Sequence, residues 1–243
     1  MEIFYILKLC DNNFMQITEK IKNEFKNLNS FEIIFPSISI LVIIVLSVVL
    51  KDSKIALISA VCGILYTLIA GKGKPYCYFF GMAGTLCYCY LAYKNTLYGN
   101  LLLNGGYYLP MEIIGFFAWN KHLKKETNEI EKTSMDKKSS IILYSLIFVA
   151  GLIFSFVLKG MGDKFFVLDS FITIISIAAM YLTVKRCVEQ WLLWSVVNML
   201  SIIVWFNIYT SGSKTFATLL MWCCYLVIGI YYYINWKKDM LTK

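Results

Sequence analysis

The sequence predicts an all-α integral membrane protein with eight transmembrane helices: two three-helix modules joined by one linker helix (a 3+1+3 parallel repeat), plus one extra N-terminal helix. Three observations predict this class. The 243-residue chain is 59% hydrophobic and only 16% charged, whereas soluble domains carry roughly 25% charged residues. Apolar stretches long enough to cross a membrane recur along the chain. Finally, one stretch of sequence resembles another at a fixed offset.

The transmembrane helices are predicted from the apolar windows. A helix needs about 20 mainly apolar residues to cross the hydrocarbon core. Such windows fall at 31–50, 55–71, 76–93, 99–119, 140–158, 168–184, 190–209 and 215–236. The predicted organisation is an amphipathic N-terminal segment 1–30, an extra helix 31–54, a first module 55–119, a loop and linker helix 120–159, a second module 160–236 and a tail 237–243.

The distribution of positive charge predicts the orientation. With eight spans, 17 of the 23 Lys and Arg residues fall on the side that holds both termini, and cationic residues near spans stay in the cytoplasm. We therefore expect both termini to be cytoplasmic. This asymmetry and contact with anionic membrane lipids explain the net charge of +8, so no nucleic-acid partner is predicted. The loop at 120–139 alternates Lys with Glu and Asp, which predicts a solvated connector.

An internal repeat is indicated by two short segments. Residues 52–59, DSKIALIS, recur as DSFITIIS at 169–176 with a constant offset of 117. Similar offsets place Tyr78 near Trp191, and Ile114-Gly115 on Ile228-Gly229, shortly before Trp119 and Trp236. One linker span between the modules lets the second enter the membrane in the same direction as the first, and such repeats form a substrate site near the midplane of transporters.

The cysteines and the histidine argue against cofactor chemistry. The eight cysteines mostly lie inside apolar runs, as small packing residues do. The single histidine, His122, lies in a lysine-rich loop, which argues against a histidine metal site or catalytic triad. We predict no cofactor, no metal and no enzyme activity.

The seventh span carries the first candidate binding residues. Trp191, Trp194, Asn198, Ser201 and Trp205 are spaced 3, 4, 3 and 4 apart, so they share one helix face. Indoles beside an amide suit a flat aromatic ligand with hydroxyl or amide groups. Asn198 could equally join two helices by a hydrogen bond. The predicted substrate-binding residues on this helix are Gln190, Trp191, Trp194, Asn198 and Asn207.

The fourth span carries the others, which are Tyr108, Glu112 and Trp119. A carboxylate in mid-span costs at least ~2.5 kcal/mol on insertion scales, so such groups usually line a pathway. Glu112 is a candidate counter-charge for a cationic substrate or a proton-coupling acid. The structural alternative is a protonated or lysine-paired residue beside a kink at Pro110.

A family resemblance rests on two runs. Residues 169–202, DSFITIISIAAMYLTVKRCVEQWLLWSVVNMLSI, contain a basic pair followed by W-x-x-W-x-x-x-N and resemble the bacterial PnuC nicotinamide riboside transporters. The run from Tyr78, YFFGMAGTLCYCYLAYKNTLYGNLLLN, ending in IIGFFAW at Trp119, is similar to the first half of that family. The resemblance covers roughly 52–238 and points to Gln190, Trp191, Trp194 and Asn198 as site residues.

The resemblance also implies how the protein works. It implies a full-length relative of the SWEET fold, a homotrimer in the inner membrane, and facilitated diffusion of nicotinamide riboside, which phosphorylation then traps inside. Many relatives have Asn where Gly84 stands, and some have Asn where Glu112 stands. Related groups resemble thiamine or riboflavin carriers, so the alternative is transport of thiamine or another cationic vitamin, either passively or coupled to protons. A membrane-embedded enzyme and an assembly or sensor subunit are the competing classes.

Overall fold

The computed structural model describes residues 28–49, 53–94, 101, 103–125, 127–211 and 216–241. Most of the amphipathic segment predicted at 1–30 lies outside these residues. Two compact units are distinguished, Met1–Ile38 and Ser39–Lys243. The described helices are α1 (Ser30–Val49), α2 (Lys54–Gly71), α3 (Cys77–Lys94), α4 (Leu109–Asn120), α5 (Lys137–Gly160), α6 (Phe166–Val184), α7 (Glu189–Thr210) and α8 (Phe216–Leu241).

The all-helical, multi-span class is confirmed. Seven of the predicted spans overlap α1–α3 and α5–α8 along almost their whole length, whereas α4 covers only residues 109–119 of the span predicted at 99–119. The described residues contain isolated bridges but no β-strand. By length and composition, α1, α2, α5, α6, α7 and α8 can cross a membrane. The apolar part of α3, Cys77–Leu91, is shorter.

Polar side chains fix where several helices begin. The Asn29 side chain accepts a hydrogen bond from the N–H of Glu32, whose carboxylate accepts one from the N–H of Asn29, each at 2.9 Å. This reciprocal pair is a capping box, which satisfies N–H groups that a helix start leaves free. At the starts of α2 and α5, the side chains of Ser53 and Asp136 each accept a hydrogen bond from the N–H three residues later.

Three helices end in residues with left-handed backbone. After α2, α5 and α6 these residues are Gly73 (φ 69°), Gly162 (φ 83°) and Arg186 (φ 62°). In each turn the N–H groups bond back to the last helical carbonyls, as in a Schellman ending. Glycine adopts this conformation without steric cost, whereas Arg186 does not.

A wider turn precedes α4. Residues Asn104–Tyr108 form a π-helical turn, and the N–H of Leu109 bonds to the carbonyl of Asn104. Pro110 follows at the start of α4 and has no N–H to donate. The kink expected at Pro110 is therefore a local widening of the helix.

The helices pack as two groups of three. In the first group α3 packs against α2 and α4, and in the second α7 packs against α6 and α8. The groups meet where α4 packs against α6 and α8 against α2, while α5 packs on the outer side of the second group, against α6. The two groups thus contact each other through corresponding pairs of helices.

Glycines allow the closest approaches between these helices. A Cβ on Gly71 of α2 would lie 2.1 Å from the ring of Tyr232 in α8, and one on Gly115 of α4 would lie 2.4 Å from the ring of Tyr78 in α3. Because real Cβ contacts are longer than 3.0 Å, any side chain at either position would displace a buried tyrosine.

The DS segments do not occupy equivalent positions in the helices. Ser53 precedes α2 as its cap, whereas Ser170 lies inside α6, where its hydroxyl donates to the carbonyl of Gly151 at 2.6 Å. Corresponding ends, Gly71 of α2 and Val184 of α6, differ by 113 positions, like Tyr78 and Trp191. The offset of 117 is therefore about one turn too long for this helix pair.

The described side chains of the loop between α4 and α5, called the connector (residues 121–136), are mostly exposed or half-buried, as its alternating charges predicted, but the loop also makes contacts that those charges did not predict. Ile130 is fully buried, and its N–H donates to the carbonyl of Gly73 at 2.9 Å. The Lys74 ammonium donates to the carbonyl of Thr127 at 3.0 Å. These contacts attach the connector to the turn between α2 and α3.

The connector is also attached to the second helix group. Thr133 pairs with the turn after α6: its N–H donates to the carbonyl of Arg186 at 3.0 Å, and its carbonyl accepts from Val188 at 2.8 Å. Lys132 pairs with Asp239 and lies 5.1 Å from the ring centroid of Trp236 in α8. Although most of its described side chains reach solvent, the connector is attached to both helix groups, because its backbone finds partners in turns that are distant in sequence.

Candidate functional site

The stripe predicted on α7 is on the buried face of that helix. Gln190, Trp191, Asn198 and Ser201 are each at most 5% exposed, and Trp194 is half-buried. α7 begins at the end of the bundle where the connector lies, here called the connector end, and Asn198 lies about 13 Å beyond its first residue, Glu189. The stripe therefore extends from the connector end toward the middle of the helix.

The two indoles of W-x-x-W have different surroundings. Trp191 packs on Tyr232, with centroids 5.4 Å apart, and edge-on to Trp236 at 5.6 Å, but its Nε1 has no acceptor among the described residues. Trp194 donates from Nε1 to the hydroxyl of Thr183 at 3.1 Å. A buried donor without an acceptor costs about 1–3 kcal/mol, so the Trp191 indole is a group that a ligand could satisfy.

Two amides lie beside the indoles. The Nε2 of Gln190 is buried without a hydrogen-bond partner. Asn198 lies next to α8, where a Cβ on Gly229 would be 3.9 Å from its Nδ2. In the described part of the chain its amide bonds to no other side chain, so the structure contains no helix-joining bond from Asn198.

The carboxylate of Glu112 lies inside the first helix group. Glu112 is 6% exposed; its Oε1 accepts from the Thr85 hydroxyl at 2.9 Å, and its Oε2 has no partner. The Glu112 carboxylate and the Tyr66 ring both lie against Gly81. A Cβ at that position would be 3.0 Å from Oε1 and 2.9 Å from the Tyr66 ring. The hydroxyls of Tyr66 and Tyr78 are also buried without partners. No lysine pairs with Glu112 among the residues the structure describes.

The other three predicted site residues, Tyr108, Trp119 and Asn207, each have different surroundings. Tyr108 is partly buried and interacts with Ser176 of α6. Trp119 is fully buried, and its Nε1 donates to the carbonyl of Thr183 at 2.8 Å. Asn207 is exposed, and its amide donates to the carbonyl of Ile203 in its own helix at 2.7 Å. The structure therefore does not bring Asn207 to the other candidates.

A continuous row of rings joins the two helix groups. Tyr78 lies edge-on to Trp119 at 5.1 Å, and Trp119 is 6.5 Å from Trp236, which contacts Trp191. The indole of Trp236 also donates to the carbonyl of Gly71 at 2.6 Å. Each group thus donates an indole hydrogen bond to the end of a helix in the other.

Three residues that sequence reasoning missed belong to this arrangement: Tyr232, Thr85 and Thr183. Tyr232 is 2% exposed and packs on Trp191, Thr85 binds Glu112, and Thr183 binds two indoles. The only signal for Tyr232 was its place one turn before Trp236. Threonines in apolar helices give no such signal, because most bond to their own helix.

The described residues contain no group of three or more His, Cys, Asp or Glu side chains that could hold a metal ion. In the turn after α6, burial raises the pKa of the Cys187 thiol, which keeps it neutral. The chemistry available is stacking, hydrogen bonding and one carboxylate, which suits binding of an organic solute.

The fold and these buried groups define a class: a multi-span membrane protein with polar and aromatic groups between its helices, as transporters have. The sequence model of the family described as "Nicotinamide mononucleotide transporter" matches residues 53–238. The chain belongs to the PnuC family of membrane transporters.

Individual relatives agree with this assignment. The nicotinamide riboside transporter PnuC of Neisseria mucosa is 34% identical over 192 residues, which cover 77% of this chain and 73% of the relative. The protein of the same name from Haemophilus influenzae is 32% identical over 227 residues, covering 92% and 97%. The crystal structure of the vitamin B3 transporter PnuC matches with a TM-score of 0.75 at 32% identity, covering 87% of this chain and 92% of that one.

Proposed function

We propose that this chain carries nicotinamide riboside into the cell across a bacterial inner membrane by facilitated diffusion. The observation that carries the proposal is the pair of neighbouring buried donors, Gln190 Nε2 and Trp191 Nε1, that have no acceptor among the residues the structure describes. A ribose offers hydroxyl acceptors for both donors, and a nicotinamide ring offers a flat face for an indole. The names of the relatives from Neisseria and Haemophilus support the same substrate.

We assign roles to the predicted site residues on this basis. Trp191 and Trp194 stack with the ring or cover it, and Gln190 and Asn198 bond its polar groups. Glu112, with Tyr108 nearby in sequence, balances the positive charge of the pyridinium, because Oε2 has no partner in the described part of the chain. Trp119 acts through its contact with Trp236. Asn207 has no role in this assignment because it is exposed.

The packing of the helices supports a 3+1+3 parallel repeat of the SWEET type with α5 as the linker. The contacts of α4 with α6 and of α8 with α2 correspond to each other, as a two-fold relation requires. The indole bonds of Trp119 and Trp236 correspond in the same way. In this arrangement the substrate binds near the midplane between the helix groups, which rock around it.

The orientation and assembly are part of the proposal. The connector end is cytoplasmic, as are both termini, because that side holds most of the Lys and Arg residues. The chain forms homotrimers in contact with membrane lipids, as the family resemblance implies. A passive carrier cannot concentrate its substrate, so net uptake requires a reaction, such as phosphorylation, that removes free riboside inside the cell.

Transport by purified protein in liposomes tests the function. Labelled nicotinamide riboside should exchange into liposomes loaded with unlabelled riboside, with no proton or sodium gradient. Trp194→Ala and Asn198→Ala should abolish saturable binding, whereas Met199→Ala, at a neighbouring position that is 53% exposed, should not. Equal losses in all three variants, or no exchange by the parent protein, would refute the assignment.

A second candidate function is transport of thiamine or another cationic aromatic vitamin, with possible proton coupling through Glu112. The unpartnered Oε2 favours it, because any cation of suitable shape could occupy that position. Titrations with nicotinamide riboside, thiamine and riboflavin distinguish the substrates. A pH gradient that drives uptake in the parent protein, but not in Glu112→Gln, would replace facilitated diffusion with proton coupling.

A further inference from the structure

Thr183 makes hydrogen bonds to two indoles of the site region as well as to its own helix and to the turn that follows it. It is the penultimate residue of α6 and only 2% exposed. Its hydroxyl lies 2.9 Å from the carbonyl of Ala179 and 3.1 Å from the Nε1 of Trp194. Its backbone carbonyl accepts the indole N–H of Trp119 at 2.8 Å. Thr183 therefore contacts one indole from each helix group.

The direction of these bonds follows from the donors available. A threonine hydroxyl has one hydrogen, and here the carbonyl of Ala179 accepts it. An indole Nε1 is only a donor, so Trp194 donates to the remaining lone pairs of the Thr183 oxygen. Trp191, one turn earlier, has no acceptor. Of the two indoles in W-x-x-W, only that of Trp194 is held by a hydrogen bond to the protein in the described residues.

We propose that Thr183 is a positioning residue that sets the plane of Trp194 for the substrate. A tryptophan side chain can rotate about two bonds, and a hydrogen bond at its Nε1 selects one orientation of the indole ring. Because the carbonyl of the same residue binds Trp119, the orientation of Trp194 is tied to the contact between the helix groups. The functional half of this proposal rests on the proposed function, in which Trp194 contacts nicotinamide riboside.

Two substitutions separate the hydrogen bond from the shape of the side chain. Thr183→Val keeps the branched shape but removes the acceptor, which leaves the Trp194 donor unsatisfied. Thr183→Ser keeps the hydroxyl and removes a methyl group. The backbone carbonyl that accepts from Trp119 remains in both. Thr183→Ala serves in place of the valine variant if that protein does not elute as a single species.

The first experiment observes Trp194 without any substrate. In a ¹⁵N-¹H spectrum of indole-labelled protein, the peak of Trp194 is the one missing from Trp194→Phe. Thr183→Val should shift that proton upfield, because the hydrogen bond is lost, and Thr183→Ser should leave it in place. An unchanged peak in Thr183→Val would overturn the proposal.

The second experiment measures binding of nicotinamide riboside. Thr183→Val should weaken binding about 2- to 10-fold, the range for one lost hydrogen bond, and Thr183→Ser should bind within about twofold of the parent. In a Trp194→Phe background Thr183→Val should cause no further loss, because no donor remains. The same loss in both backgrounds, or parent-like binding by Thr183→Val, would overturn the positioning role.

The two experiments also distinguish failure of this inference from failure of the proposed function. If the parent protein binds no nicotinamide riboside, the proposed function is wrong, and the spectrum still decides whether Thr183 holds Trp194. The titrations are then repeated with thiamine, for which the same pattern across the three Thr183 variants is expected. Absence of that pattern with the ligand that does bind would overturn the positioning role.

Discussion

Replacing Gly71 by alanine should destabilise the protein and disturb the site, although the change adds one methyl group. The added Cβ would lie 2.1–2.3 Å from three ring atoms of Tyr232, whereas carbon atoms in contact are about 3.5–4.0 Å apart. The ring must therefore move by more than about 1 Å. Tyr232 is 2% exposed, so few directions are open to it.

Two opposing effects, overpacking and helix propensity, set the expected change in the free energy of unfolding. Overpacking a close contact costs about 1–3 kcal/mol, and the higher helix propensity of alanine returns at most about 1 kcal/mol at a helix end. A net loss of about 1–2 kcal/mol is expected. Because Tyr232 packs on Trp191 at 5.4 Å, binding of nicotinamide riboside should weaken in the same variant.

Thermal unfolding of the detergent-solubilised protein, with and without the riboside, measures both effects. Gly160→Ala is the matched control, since Gly160 ends α5 and a Cβ there meets nothing within 4 Å. The unfolding midpoint should fall in Gly71→Ala and stay within error in the control. If both variants unfold like the parent, the close packing of α2 on α8 does not exist.

Three further predictions concern a turn, a cap and an indole. Arg186→Gly should be about 1 kcal/mol more stable than Arg186→Ala in chemical unfolding, because only glycine relaxes at a φ of 62°; equal stabilities would contradict the left-handed turn. Hydrogen bonds to the carboxylate lower the pKa of Asp136, so its stabilising effect is complete above about pH 4 and is lost as pH falls through the lowered folded-state pKa. In thermal unfolding measured over a series of pH values, the parent should unfold at a higher temperature than Asp136→Ala near neutral pH but not under acid conditions. A difference in unfolding temperature that stays constant with pH would exclude the cap. Trp236→Phe should lower the free energy of unfolding by about 1–3 kcal/mol, because it removes the hydrogen bond to Gly71. Trp222→Phe should lower it less, because the Nε1 of Trp222 has no partner among the described residues.

The sequence predicted the helices well because hydropathy determines where a chain can cross a membrane. The buried face of α7 also followed from its spacing, since residues three and four apart share a face. The same geometry explains the one site candidate that stands apart. Asn207 is nine residues after Asn198, or two and a half turns, so it points to the opposite side of α7, where it is exposed.

Contacts between distant parts of the chain were not predictable. The spacing of Trp119 and Glu112 predicts that they share a helix face. The indole of Trp119 instead donates a hydrogen bond to the carbonyl of Thr183, 64 positions away. The pairing of Ile130 with Gly73 is between backbone atoms, so no side-chain pattern records it. The DS match is one turn out of register for α2 and α6 because a four-residue shift nearly preserves the faces of a helix. Trp119 and Trp236, in α4 and α8, keep the offset of 117.

The connector has a practical consequence for labelling the protein. As the longest loop predicted from the sequence, it is the obvious place for an affinity tag, an antibody epitope or a fluorescent fusion. An insertion beside Ile130 or Thr133 would pull apart the hydrogen bonds that attach this loop to both helix groups. The turn between α5 and α6 suits reporters better, because Met161 is 77% exposed and the space around Gly162 is open.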